Sequence, residues 1–312
     1  MTAPQEIPHA RARLPVGRLP APLLLAAAAL FWSGNFVVGR AVNTRVPPVA
    51  LSFWRWVVCL AALLPFTHRK VRAQWPLLRR EWAMLTLLGI LGVGNFSMMV
   101  YLGLHRTTAT NGALLQSACP AFIVGISFAI GAGRPTGRQI AGIALSLAGV
   151  LAIVTRGAPA ALLSLTFDRG DLWVLGAVVN WALYTILVAR DPGDLDPVVR
   201  LVALAVTGIV WMAPFYAWEM VHGAYMTLDG PTVLAVLYVA IPASLVAFVA
   251  WNEGVGAIGA SRAGVYLHLM PAFASVLAVV LLGESFRWFH LAGIAFILAG
   301  VSLAGRVRLA TA

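Results

Sequence analysis

AGIALSLAGV, from Ala141 to Val150, returns as AGIAFILAGV from Ala292 to Val301, and the reading of this pair decides the fold. The same offset of 151 residues carries Pro120-Ala121-Phe122 onto Pro271-Ala272-Phe273, Gly103 onto Gly254 and Ala109 onto Ala260 without a gap. Self-similarity at a fixed offset marks a duplicated structural unit. Nearly every repeated residue lies in an apolar stretch, so the unit is a bundle of membrane helices. The number of helices per unit then fixes how the copies are related: an odd number sets the second copy upside down relative to the first.

Composition agrees with a membrane bundle. Hydrophobic residues make up 61% of the 312 and charged residues 11%, where a soluble domain carries about a quarter charged residues. At ~20 apolar residues per crossing plus a short connection, the chain holds about ten transmembrane helices, and no connection is long enough for a soluble domain. The expected class is therefore all-α integral membrane, with about ten transmembrane helices as two inverted five-helix repeats. The net charge of +11 does not point to nucleic acid, because the basic residues collect at span ends and in loops with no aromatic-interleaved stripe. Cys59 and Cys119 fall inside predicted spans and are expected to be free, inert thiols.

Predicted spans cover residues 21–43, 50–67, 82–104, 109–131, 138–156, 171–190, 198–218, 232–252, 260–282 and 288–306. Ahead of them, residues 1–20 carry Arg11, Arg13 and Arg18 among Pro4, Pro8, Pro15 and Pro20 and read as a disordered cytoplasmic tail; the apolar run that follows reads as a retained first span rather than a signal peptide. The densest arginine cluster, Arg69, Lys70, Arg72, Arg79 and Arg80, shares one side with Arg134, Arg138, Arg306 and Arg308 and with the acidic loop Asp191, Asp194 and Asp196. Positively charged loops stay in the cytoplasm, which places both termini there and Arg45, Arg106, Asp168, Arg169, Asp171, Glu219, Asp229, Glu284 and Arg287 on the opposite side. The copies then occupy 21–156 and 171–306, and inverted halves of this kind hold their substrate site at the interface near the midplane.

Four stretches resemble a known family: LFWSGNFVVGR (Leu30 to Arg40), PPVALSFWRWVVCLAALLP (Pro47 to Pro65), YLGLHRTTATNGALLQSACPAF (Tyr101 to Phe122) and LLGESFRWFHLAGIAFILAGVSL (Leu281 to Leu303). The chain is similar to the EamA branch of the drug/metabolite transporter superfamily, and within it looks most like bacterial amino-acid exporters, including those for aromatic amino acids. The resemblance covers nearly all of the chain after the tail. It implies a ten-span inverted-repeat carrier in the bacterial inner membrane. One departure from the family pattern is Gly133 where the second copy has Glu284, which is read as a structural residue that caps or orients the last helix.

Polar side chains in hydrocarbon either join helices or face a wet cavity. Trp32, Asn35, Asn95, Gln116, Ser117, Asn180, Trp181, Tyr184, Ser244 and His268 lie near the midpoints of predicted spans. Of these, Trp32, Asn35, Asn95, Gln116, Asn180, Trp181, Tyr184, Ser244 and His268 are the candidate substrate-binding residues, offering neutral donors and acceptors beside flat rings, which suits a zwitterion with an uncharged side chain. Each is weighed against simple interhelical packing. For His268 the plainer reading is a neutral ring donating to a carbonyl freed by Pro271, against a proton-coupling role. Pro120 and Pro271, at matched positions, are candidate hinges. Arg40, Arg55, Arg190 and Arg262 sit near span ends, where snorkelling to the interface is the default; Arg55, between Trp54 and Trp56, is the exception that would suit a substrate carboxylate. Gly142 with Gly149, and Gly293 with Gly300, read as a close-packed seam, within one chain or between subunits.

The expected function is a secondary transporter exporting aromatic, apolar and other neutral amino acids by alternating access. The alternative is a carrier of another small metabolite or drug of the same superfamily. No GxxxxGK[ST] phosphate loop, HExxH pair or GxSxG elbow is present, so neither an ATP-driven pump nor an intramembrane enzyme is expected. No catalytic residue, metal site or cofactor is assigned. The expected partners are an amino-acid substrate and the lipid bilayer, with a monomer favoured over a homodimer.

Overall fold

In hydrocarbon every backbone N–H and C=O must find a partner inside the chain, and the apolar runs meet that demand as helices. The structure, a computed structural model, describes residues 19–305 apart from 43, 108, 133, 165–167, 191–193 and 283–284. The tail through Arg18, Gly133, Asp191, Glu284, Arg306 and Arg308 therefore lie outside the described residues, as does the side chain of Arg40.

The main helices are α1 (Ala21–Ala41), α2 (Pro48–Ala73), α3 (Trp82–Leu104), α4 (Ala109–Ser117 and Cys119–Ala129), α5 (Gly137–Val154), α6 (Arg169–Arg190), α7 (Pro197–Val221), α8 (Gly230–Ile258), α9 (residues 260–282) and α10 (Trp288–Gly305). Among the described residues there is no strand. Seven of the helices, α2 to α8, are long and apolar enough to cross a membrane. α2 runs beyond its predicted end at residue 67, through Pro65 to Ala73, where Lys70 and Arg72 in the last turn oppose the negative pole of the helix dipole. A short helix, Trp75–Arg80, then leads into α3. Both cysteines are free and fully buried.

The helix pairing follows from small residues and caps. A Cβ added to Gly142 would lie 2.6 Å from the carbonyl oxygen of Gly300, and one added to Gly149 would lie 2.5 Å from that of Gly293. As α5 is followed from 142 to 149, its contacts on α10 run backwards from 300 to 293, so the two helices pack antiparallel, backbone against backbone. The seam lies within one chain.

Residues at equivalent positions of the two copies, called repeat mates here, meet at two further points. Trp32 of α1 meets Trp181 of α6 edge to face, with ring centroids 5.0 Å apart; their separation of 149 residues also relates Pro48 to Pro197 and Pro65 to Pro214. Ser117 of α4 and His268 of α9, 151 residues apart, are joined directly by a hydrogen bond. α3 and α8 each contain a π-helical segment, Gly89–Asn95 and Ile241–Val246, at matched positions.

Two sets of polar contacts tie α2 to α7 at opposite ends. At one end Glu219 accepts hydrogen bonds from the backbone N–H groups of Val49 and Ala50 (3.1 and 2.7 Å), while Arg45 pairs with Asp229 nearby. The backbone N–H of Thr232, donated to Asp229 as the cap of α8, holds that carboxylate below its ordinary pKa. At the other end Lys70 pairs with Asp196 (2.8 Å), which caps α7 through Val198, and Arg80 pairs with Asp194 (3.0 Å). Each set joins charges that the arginine distribution assigned to a common side.

Candidate functional site

A cavity of about 400 Å³, including its open mouth, lies where α1, α2, α3, α4, α6 and α9 converge, and its wall includes Trp32, Asn35, Arg55, Tyr101, Gln116 and Trp181. The innermost free space is on the order of a water molecule or two. Its wall is chiefly aromatic and aliphatic. Trp181 packs against Phe96 at 4.5 Å between ring centroids as well as against Trp32, and Trp251 backs both indoles.

Into this apolar wall the helices place a small polar set. Trp32 donates its indole N–H to the carbonyl of Ala243 (2.8 Å) in the π-helical segment of α8, which exposes backbone that a regular helix would engage. Arg55, eight residues into α2 and only 2% exposed, donates Nε–H to Ser244 Oγ (2.5 Å), an Nη1 hydrogen to Tyr101 Oη (3.3 Å) and an Nη2 hydrogen to the carbonyl of Ala243 (3.1 Å). Tyr101 in turn donates to Asn35 Oδ1 (2.8 Å). Two buried wall atoms, the Trp181 indole N–H and Gln116 Oε1, have no hydrogen-bond partner among the described residues.

The copies repeat one of these contacts with the side chains exchanged. Tyr101 donates to Asn35 in the first copy; at the matched positions Tyr184 donates to Asn252 Oδ1 (2.8 Å). The helix that supplies the tyrosine in one copy supplies the asparagine in the other. Arg55 has no such counterpart, because its mate on α7 is Leu204.

The predicted site residues separate into groups. Trp32, Asn35, Gln116 and Trp181 line the cavity, and Ser244 stands behind it as a partner of Arg55. Asn95 and Asn180 bond each other (3.4 Å) away from the wall; Asn95 accepts from the Trp211 indole (2.8 Å) and Asn180 donates to the carbonyl of Gly176 (2.8 Å), joining α3, α6 and α7. Tyr184 is fully buried behind the aromatic cluster. His268 is 1% exposed, with Nε2 at 2.8 Å from the Ser117 carbonyl and Nδ1 at 2.6 Å from Ser146 Oγ. A carbonyl only accepts, so Nε2 carries a proton. The acceptor belongs to the mate helix, three residues before Pro120, rather than to a carbonyl freed by Pro271. Near the prolines both helices are interrupted: α4 by a turn at Ala118, α9 by the tighter turn Val265–His268.

Snorkelling does not describe Arg55. Its position is about 10 Å along α2 from the helix start, and its three acceptors lie inside the protein, so the guanidinium stays at the cavity. Arg190 by contrast is exposed at its helix end. Tyr101 was not singled out in the sequence, since its importance arises only once α3 is packed beside α1 and α2.

A family model described as the EamA-like transporter family matches the chain twice, over residues 19–155 and 168–306. An uncharacterized transporter of Archaeoglobus fulgidus is 29% identical, covering 90% of this chain and 96% of its own length. A "Probable terminal-alkyne amino-acid exporter" of Streptantibioticus cattleyicolor is 27% identical, covering 90% and 92%, and a "Probable amino-acid metabolite efflux pump" of Salmonella typhimurium is 25% identical, covering 86% and 89%. A solved crystal structure with 20% sequence identity superposes with a TM-score of 0.72 over 91% of this chain and 96% of its own.

Proposed function

Because the chain belongs to the EamA-like transporter family, and is a multi-pass membrane transporter rather than an enzyme, we propose that it exports amino acids, aromatic and other neutral ones, across the bacterial inner membrane. It does so as a secondary carrier, by alternating access of two inverted five-helix halves, residues 21–156 and 171–306. Ten crossings place both termini in the cytoplasm, and the working unit is a monomer.

Inversion is supported by the antiparallel seam of α5 on α10, in which Gly142 meets Gly300 and Gly149 meets Gly293. Mates touch only near an axis relating the copies, and Trp32 with Trp181 and Ser117 with His268 mark the same axis. Related halves have related packing energies, which lets outward-open and inward-open states lie close together in free energy. Pro120 and Pro271, beside the interrupted turns, are the proposed hinges, and His268 ties the two interrupted helices together.

The observation that carries the substrate reading is the wall itself: rings of Trp32 and Trp181 flank a cavity whose lining residues Trp181 and Gln116 hold a buried N–H and a buried carbonyl oxygen with no partner among the described residues. Such a wall pairs with an apolar side chain and a zwitterionic head. The two relatives named for amino-acid substrates agree with it. Uptake of radiolabelled phenylalanine, methionine and threonine by proteoliposomes loaded with the unlabelled compound tests the reading. Saturable counterflow of at least one is expected, and its absence for all three removes the amino-acid assignment.

A further inference from the structure

We propose that Arg55 is the carboxylate anchor of the transport cavity, so that this carrier selects its substrates first by a free carboxylate group. The inference rests on the cavity being the transport site and adds the chemical group that must be presented there.

Four observations converge. Arg55 is 2% exposed yet lines the cavity. No carboxylate among the described residues lies within ion-pair distance of it; the four ion pairs found use Arg45, Lys70 and Arg80 as their cations. A buried cation without a counter-ion is unfavourable unless a function retains it. Third, all its contacts are neutral: Ser244 Oγ, Tyr101 Oη and the Ala243 carbonyl accept from the guanidinium and the Trp56 ring lies 5.5 Å from its Cζ, which hold it in place without a counter-ion and leave further N–H groups beyond these three. A planar guanidinium fixed in this way is preorganised for a carboxylate, which it can meet through parallel hydrogen bonds. Finally, the mate of Arg55 is Leu204. The cation is therefore supplied by one half alone, and a substrate is held head-first toward α2 instead of lying equally between the halves.

The charge and lining of the site narrow the ligand. One cation on an otherwise neutral, ring-lined wall suits a monoanionic carboxylate attached to an apolar body. A phosphorylated compound would bring more negative charge than the wall offsets, and a lipophilic amine would meet Arg55 with like charge.

The test compares four compounds as competitors of counterflow and as ligands in thermal-shift titrations of the purified full-length protein: phenylalanine, phenylalaninamide, 3-phenylpropionate and 2-phenylethylamine. Phenylalanine and 3-phenylpropionate retain the carboxylate; the other two lack it. The expected result is that the compounds without a carboxylate bind on the order of ten- to a hundredfold more weakly, the range for losing a charge-assisted pair. Arg55→Gln is expected to abolish that difference, and Arg55→Lys to restore part of it. Equal binding of phenylalanine and phenylalaninamide by the unaltered protein overturns the proposal, as does an Arg55→Gln variant that folds and keeps the preference. The four-compound comparison needs no variant, so it decides the matter even if Arg55→Gln fails to fold. Binding of 3-phenylpropionate without any amino acid would remove the amino-acid reading and leave the anchor standing; binding of neither carboxylate overturns the anchor.

Discussion

Trp181 lines the cavity and keeps a buried indole N–H that has no acceptor among the described residues. A buried donor left unmatched costs about 1–3 kcal/mol, so Trp181→Phe, which keeps a ring against Trp32 and removes the donor, is expected to leave thermal stability unchanged or slightly raised. Substrate affinity should fall about tenfold, one hydrogen bond's worth. Parallel melting curves and counterflow measurements check this; a variant that melts lower and binds normally would make the N–H a structural group. Much of the wall was legible at this scale. Trp32, Asn35, Gln116 and Trp181 stand out as amides and indoles at mid-span, where hydrocarbon tolerates them only for a reason. Arg55 was harder to read because the sequence shows how far a residue lies along a helix but not which way it faces, and an arginine near a helix start can reach water. The Tyr101–Asn35 and Tyr184–Asn252 contacts could not be matched by similarity, since the exchange of tyrosine and asparagine preserves the interaction and erases the resemblance.

Two helices can approach to backbone contact only where side chains are absent, and the seam of α5 on α10 meets that condition at Gly142, Gly149, Gly293 and Gly300. Gly149→Val should force these helices apart and destabilise the protein by about 1–3 kcal/mol or more, the usual penalty for overfilling a packed site. Gly125→Ala on α4 is the matched control: its added methyl meets nothing within 4 Å, and its expected effect is neutral or stabilising by about 0.5–1 kcal/mol. Size-exclusion profiles recorded after stepped heating distinguish the two. The seam was the best-conveyed element in the sequence, because the same spacing that packs the helices also produced the repeated decapeptide. The π-helical segments left no such trace. Gly89–Asn95 and Ile241–Val246 share little beyond position, and their geometry depends on the neighbours they pack against. The same holds for Glu219, whose charge suggested only a side of the membrane; its role as acceptor for the first N–H groups of α2 depends on α7 running antiparallel beside it.

At the scale of the molecule, inversion makes opposite predictions for two similar helix ends. Cysteines placed just after Val154 and just after Leu303, in a protein whose native thiols are buried, are expected to react with a membrane-impermeant maleimide from opposite sides of intact cells. Labelling of both from one side would break the alternating-access scheme built on inversion. The proposed inversion starts from the parity of the expected helix count, and the proposed orientation from the arginine distribution; the location of the cavity was not legible in the sequence, since it depends on which faces of the helices converge. The glycine seam also bears on how such a chain is made. α5 is translated 151 residues ahead of its counterpart in α10, so a growing polypeptide must carry a bare strip of backbone through the bilayer until its complement arrives. Until α10 follows, the glycines of α5 have no matching backbone to lie against, and the close approach of these helices is completed only when the last of the chain has been made.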